Sequence, residues 1–123
     1  MILVDTSVWI EHFRSASASL TQLLGDGEVL GHPFVLGELA LGNLRQRDDI
    51  LRVLRRLPQA PSASHGEVLQ FVDREALFGR GIGYVDAHLL AAARLTAGSK
   101  LWTRDQRLRA VAAQLGLAAR LAH

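Results

Sequence analysis

Four of the chain's 12 acidic residues stand where an apolar run gives way to a polar boundary: Asp5, Glu38, Asp86 and Asp105. Asp5 ends the run Ile2-Leu3-Val4, and Asp105 closely follows Leu101-Trp102-Thr103. Glu38 and Asp86 fall within or at the start of apolar helical patterns, where a charge without a partner is unfavourable. If the four converge, they form an anionic pocket suited to one or two divalent cations. Mg²⁺ and Mn²⁺ prefer such oxygen ligands. A cation held there could bind a phosphodiester oxygen, lower the pKa of a bound water and stabilise the leaving oxygen. That chemistry requires no cysteine, histidine or serine nucleophile.

Each acid also has a simpler reading. Asp5, Asp86 and Asp105 could each cap a helix. Glu38 has no such role, because it lies between Leu36 and Leu39 in a helical pattern with few other polar residues. It weighs the set toward a shared site.

The elements that would position these residues follow from the hydrophobic pattern. Ile2 to Val4 reads as a short buried strand, and Thr6 or Ser7 can cap the helix after it. Leu20, Leu23 and Leu24 suggest a second helix, stopped by Gly25-Asp26-Gly27. Residues 28–31 form a candidate strand, and Pro33 opens a helix to about Leu44. Asp48 to Leu57 is amphipathic. Pro58 and Pro61 mark a loop with an extended edge piece, and Ser64 to Glu67 has capping-box spacing for a helix to about Leu77. A glycine-rich joint at 78–83 precedes a long helix from about Val85 to Thr96, closed by Gly98. Lys100 to Thr103 reads as a strand, Gln106 to Leu115 as a helix, and residues 117–119 as a final strand. Short strands alternating with helices predict an α/β sandwich, with helices on both faces of a mostly parallel sheet. Ligands of such sheets bind beyond the carboxyl ends of the strands, where Asp5 and Asp105 fall.

Length predicts one domain over 1–123. Without cysteine, disulfides and zinc-thiolate sites are excluded, and a reducing cytoplasm is permitted. The amino terminus lacks a basic region and a long apolar segment, so neither a signal peptide nor a membrane span is expected. The formal charge is +2. Setting the four acids aside leaves 8 acidic against 14 basic residues, an excess of +6. Thirteen of those 14 are arginine, whose planar fork of donors suits phosphate oxygens. Genomic base composition accounts for an arginine excess equally well.

Asp5-Thr6-Ser7 after the first strand, Glu38-Leu39 in a helix, Asp86-Ala87 opening a helix and Thr103-Arg104-Asp105 after a strand form an ordered pattern. This pattern resembles the PIN-domain ribonucleases, specifically the VapC-type toxins of toxin–antitoxin pairs, over nearly the whole chain. The resemblance implies a three-layer α/β/α sandwich and Mg²⁺- or Mn²⁺-dependent endonucleolytic cleavage of RNA. It matches Asp5, Glu38, Asp86 and Asp105 to the acidic quartet, with Asp5 and Asp86 as the firmest metal ligands. Thr6 and Thr103 match hydroxyls that orient the site. A homodimer and a cognate VapB-type antitoxin are also implied.

Other features carry less. His12, His32 and His88 read as structural or surface residues. Gly79, Gly81 and Gly83 read as a hinge or tight turn, lacking the lysine and spacing of a P-loop. Arg80 could touch RNA phosphate or be solvated. The arginines at 45, 47, 52, 55 and 56 read first as a solvated face, with Asp48 and Asp49 within reach of Arg52. Trp9 reads as core, although the surface around Trp9, Phe13 and Leu20 to Leu24 could hold a partner helix. Two rival functions remain at this level. Aspartyl-phosphate chemistry would want an acid at position 7, where Ser7 stands, or a lysine after a late strand, whereas Lys100 precedes one. A non-catalytic module that binds RNA or protein would need the acids only as caps.

Overall fold

The computed structural model describes residues 1–121. Its centre is a three-stranded sheet built from β1 (Ile2–Val4), β2 (Val29–Leu30) and β3 (Lys100–Trp102), in the order β2-β1-β3. Both pairings of β1 are parallel, with Leu3 opposite Leu30 and Leu101, and Val4 opposite Trp102. A central parallel strand is covered on both faces, which is why β1 is a continuous apolar run. Leu3 and Val4 are fully buried. One further parallel bridge extends each edge, Gly31 to Gln59 beyond β2 and Leu101 to Ala118 beyond β3. The edge piece expected after Leu57 is therefore the Gln59 bridge. The strand expected at 117–119 is reduced to a bridge at Ala118, with Leu101 N–H donating to Leu117 O at 2.7 Å.

Seven helices surround the sheet among the described residues: α1 (Thr6–Arg14), α2 (Ala18–Gly25), α3 (Pro33–Ala40), α4 (Arg47–Arg56), α5 (His65–Arg74), α6 (Tyr84–Leu95) and α7 (Gln106–Gln114). The sheet and its helices give the expected α/β/α sandwich. Helix α6 is the most deeply placed, with every residue from Ala87 to Ala93 buried. The capping box at Ser64 and Glu67 forms as its spacing predicts.

Of the caps the sequence offers for α1, Asp5 forms and Thr6 or Ser7 does not; its carboxylate accepts the Thr6 N–H. Two boundaries differ from the sequence reading. Helix α3 stops at Ala40 rather than near Leu44. The Arg47 guanidinium donates twice to the Ala40 carbonyl, at 3.0 and 2.9 Å, and takes the place of the next helical turn. Helix α5 stops at Arg74 rather than Leu77. Ala76 turns left-handed at φ 53°, which sends Leu77 into the core.

His32 caps α3, its Nδ1 accepting the Phe34 N–H at 3.0 Å. Its ring is 1% exposed, and burial, aided by the nearby His88, lowers its pKa from 6.5 to about 4. An unfolded chain therefore binds this proton first as pH falls. The stability that the neutral ring contributes is complete above pH 6.5 and is lost on descent toward about 4. Denaturant unfolding of the wild type should weaken over this range by on the order of 3 kcal/mol. His32→Asn keeps a capping acceptor without the titration, so its stability should fall less. Parallel pH profiles for the two proteins would refute the assignment.

Candidate active site

The site is assembled at the carboxyl edge of the sheet. The last registered pair of the β1–β3 ladder is Val4 with Trp102. The Asp5 N–H continues that ladder by donating to Trp102 O at 2.9 Å. Asp5 and Thr103 therefore emerge side by side. The Thr103 hydroxyl donates to Asp5 Oδ2 at 2.7 Å, and Ser7 Oγ donates to the same oxygen at 2.9 Å. Asp5 Oδ1 accepts the Thr6 N–H at 2.8 Å. Asp5 is thus a buried carboxylate with three donors, as a buried charge requires.

Each hydroxyl then reaches a second part of the site. Thr103 Oγ1 accepts the Asp105 N–H at 3.0 Å, which fixes the start of α7. Asp105 caps that helix by accepting the Leu108 N–H at 3.0 Å. Ser7 Oγ accepts the Arg104 N–H at 3.1 Å. Thr6 Oγ1 donates to Glu38 Oε1 at 2.6 Å and so ties α3 to α1. On α6, Asp86 accepts the Gly83 N–H at 2.9 Å.

Partial burial raises the Asp86 pKa against the lowering effect of the Gly83 N–H, and the charges of Asp5, Asp105 and Glu38 raise it further. Asp86 therefore feels all three other acids. Among the described residues, none of the four forms an ion pair with a basic side chain. Hard anionic oxygens without countercharge fit a divalent cation in donor chemistry and in sign. Their geometry is open, and among the described residues no three acidic or imidazole groups close on a single point. That openness suits Mg²⁺, which takes few carboxylates directly and keeps several waters.

The capping and site readings turn out to be compatible. Asp5 and Asp105 cap helices, and Asp86 holds the first turn of its own. Glu38 corrects the sequence argument. It is exposed, because α3 buries only Val35 and Leu39 and turns Glu38 to solvent. Its place in the set rests on the Thr6 bond and on its effect at Asp86. Ser7 was missed as a site residue, although its position two after Asp5, across a helix start, is a spacing that lets a hydroxyl return to the cap.

The weaker candidates also find places. His88 is buried between aromatic rings, and His12 accepts the Ser17 N–H at 3.0 Å. Gly79 and Gly81 have left-handed φ of 71° and 79°, so they form a turn. Arg107 lies against Gly81 so closely that a Cβ there would come within 2.8 Å of its Cδ. Arg80 donates to Gln114 at 2.7 Å. Arg52 pairs with Asp49 at 2.9 Å, while Asp48 faces Arg47. Lys100 donates to Gly116 O at 2.6 Å, and position 7 serves Asp5 as a donor. Neither arrangement is that of a phosphoryl receiver.

Comparison with known proteins bears on the family of the whole chain. The family model described as PIN domain matches residues 2–114. Two curated proteins, both called Ribonuclease VapC32, come from Mycobacterium tuberculosis strains CDC 1551 / Oshkosh and ATCC 25618 / H37Rv. Each is 56% identical over 118 residues, covering 96% of this chain and 95% of its own.

Because burial, and then the charges of its neighbours, raise the Asp86 pKa, the fold loses stability as pH rises from the ordinary carboxylate value of 3.8 to that raised value. Asp86→Asn keeps an oxygen for the Gly83 N–H and removes the charge. In a chelator at neutral pH its melting temperature should exceed that of the wild type. A lower melting temperature would show that the ionised Asp86 carboxylate is not unfavourable in the fold.

Proposed function

The chain belongs to the PIN-domain family, and from that membership we propose that Asp5, Glu38, Asp86 and Asp105 are its catalytic carboxylates, aided by Thr6 and Thr103. The protein is a VapC-type endoribonuclease, the toxin of a toxin–antitoxin pair. Ribonucleases of this type are generally metal-dependent. The observation that carries the residue assignment is that hydroxyls and helix-start N–H groups hold the four acids at one edge of the sheet, with no basic side chain among the described residues paired to any of them.

A Mg²⁺ or Mn²⁺ ion held by these acids would supply Lewis acidity toward a phosphodiester oxygen and acidify a water for attack. Asp5 and Asp86 are the direct ligands in this reading, and Glu38 and Asp105 complete the set directly or through water. Thr103 and Ser7 keep Asp5 in one orientation, and Thr6 does the same for Glu38. Such supporting donors set how well a metal ligand is aimed. Arginines at the rim hold the RNA backbone, which bare carboxylates would repel.

The partners implied are an RNA substrate and a VapB antitoxin. The antitoxin would be seated in the cavity between α1 and the 42–50 segment. Ile10, Phe13, Leu44 and Ile50 line it, with Arg14 and Arg45 at its margin. An apolar segment flanked by acidic residues matches that lining. A homodimer and a cytoplasmic site of action complete the proposal. Among the described residues no helix is long and apolar enough to cross a membrane.

Asp5→Asn and Asp86→Asn should each abolish divalent-dependent RNA cleavage and weaken Mn²⁺ binding by calorimetry, with folding intact by circular dichroism. Thr103→Val should lose about 10- to 100-fold in activity, as an outer support does. Undiminished cleavage by the two asparagine variants would sink the assignment.

A further inference from the structure

Five rings form a continuous series across the starts of three helices. His32, which caps α3, meets Phe34 edge to face at 5.3 Å between centroids. Phe34 meets His88 at 4.6 Å, and His88 meets Tyr84 at 4.6 Å on its other side. Tyr84 meets His65, the first residue of α5, at 5.5 Å, and its hydroxyl lies 2.6 Å from His65 Nδ1.

Two members of this series are unusual for their size. Phe34 is 38% exposed and Tyr84 is 46% exposed. The hydroxyl of Tyr84 is engaged, so the surface it offers is largely ring. Between them His88 is 3% exposed, and among the described residues neither of its ring nitrogens has a hydrogen-bond partner. A buried imidazole in that state is sustained by the aromatic surfaces on each side. It acts as a spacer that fixes the two exposed rings.

Their location gives the rings a use. Phe34 lies four residues before Glu38 on α3, hence on the same helical face. Tyr84 opens the first turn of α6, the turn that carries Asp86. Phe34 therefore borders the acidic cluster at Glu38, and Tyr84 joins it through His88, since its own side chain diverges from that of Asp86 two residues on. An enzyme that cuts RNA must also hold the nucleotides beside the scissile bond. Unpaired bases are held by stacking on aromatic side chains.

We propose that Phe34 and Tyr84, spaced by His88, form a stacking platform for an unpaired base of the RNA strand, next to the phosphodiester addressed by the carboxylates. The proposal rests on the ribonuclease reading of the site. It makes these two rings positioning residues for substrate.

Tyr84 is the chain's one tyrosine, so 3-fluorotyrosine labelling gives a single ¹⁹F line. In an Asp5→Asn background that line should shift as a single-stranded oligoribonucleotide is titrated in, and should stay fixed with a fully paired duplex. Phe34→Leu and Tyr84→Leu should each weaken binding of a 2-aminopurine-labelled strand by about 5- to 150-fold. Phe34→Trp and Tyr84→Phe should retain most of the affinity and of the 2-aminopurine quenching. An unmoved ¹⁹F line, or leucine variants that bind RNA like the parent, overturns the proposal. So does a loss confined to antitoxin binding. Failure of the carboxylate assignment would be seen separately, as RNA cleavage by Asp5→Asn.

Discussion

Four carboxylates at one sheet edge repel one another, and among the described residues no basic side chain is ion-paired with any of them. What holds them is neutral: hydroxyls from Thr6, Ser7 and Thr103, and backbone N–H groups at the starts of α1, α6 and α7. A helix start offers unsatisfied N–H groups and a partial positive charge, so it can stabilise an anion without cancelling it. A parallel sheet is what brings such starts together, because each crossover helix departs from the carboxyl ends of the strands. The anionic site thus depends on β1 and β3 being adjacent and in register.

Much of this was legible in the sequence because it rests on local patterns. The strand at Ile2–Val4, the capping box at Ser64 and the order of the four acids each follow from residues close along the chain. The parts that were not legible depend on distant partners. Helix α3 ends early because Arg47 reaches back seven residues to the Ala40 carbonyl. Glu38 looked buried because α3 is rich in apolar residues, yet the helix exposes Phe34 and is followed by exposed Leu41. Composition gives the number of apolar residues in a helix, while tertiary packing decides which side of it is covered. The binding of Ser7 to Asp5 across a helix start needed the backbone geometry.

Charge is divided between two populations with different partners. Asp48, Asp49 and Glu75 face arginines at the surface, where such pairs contribute little to stability. The site acids are spared that pairing. Two arginines are instead tied to neutral acceptors, Arg80 on Gln114 and Arg109 on Thr103 O. A guanidinium that bonds a carbonyl keeps its full charge. The basic excess is therefore held in place and remains available to a polyanion.

The two single-residue bridges that flank the sheet have a further consequence. Gly31 and Gln59 cover one margin, and Leu101 and Ala118 extend the other. Gly31 permits this closure, since a Cβ there would come within 2.6 Å of Gln59 Nε2. With strands of two or three residues and both margins occupied, no long ladder of free N–H and C=O groups is left among the described residues to template a neighbouring chain. Self-propagating strand addition is thereby discouraged. Recognition by other macromolecules is left to side chains on helices and loops, which can diversify among related proteins without putting the sheet itself at risk of polymerisation.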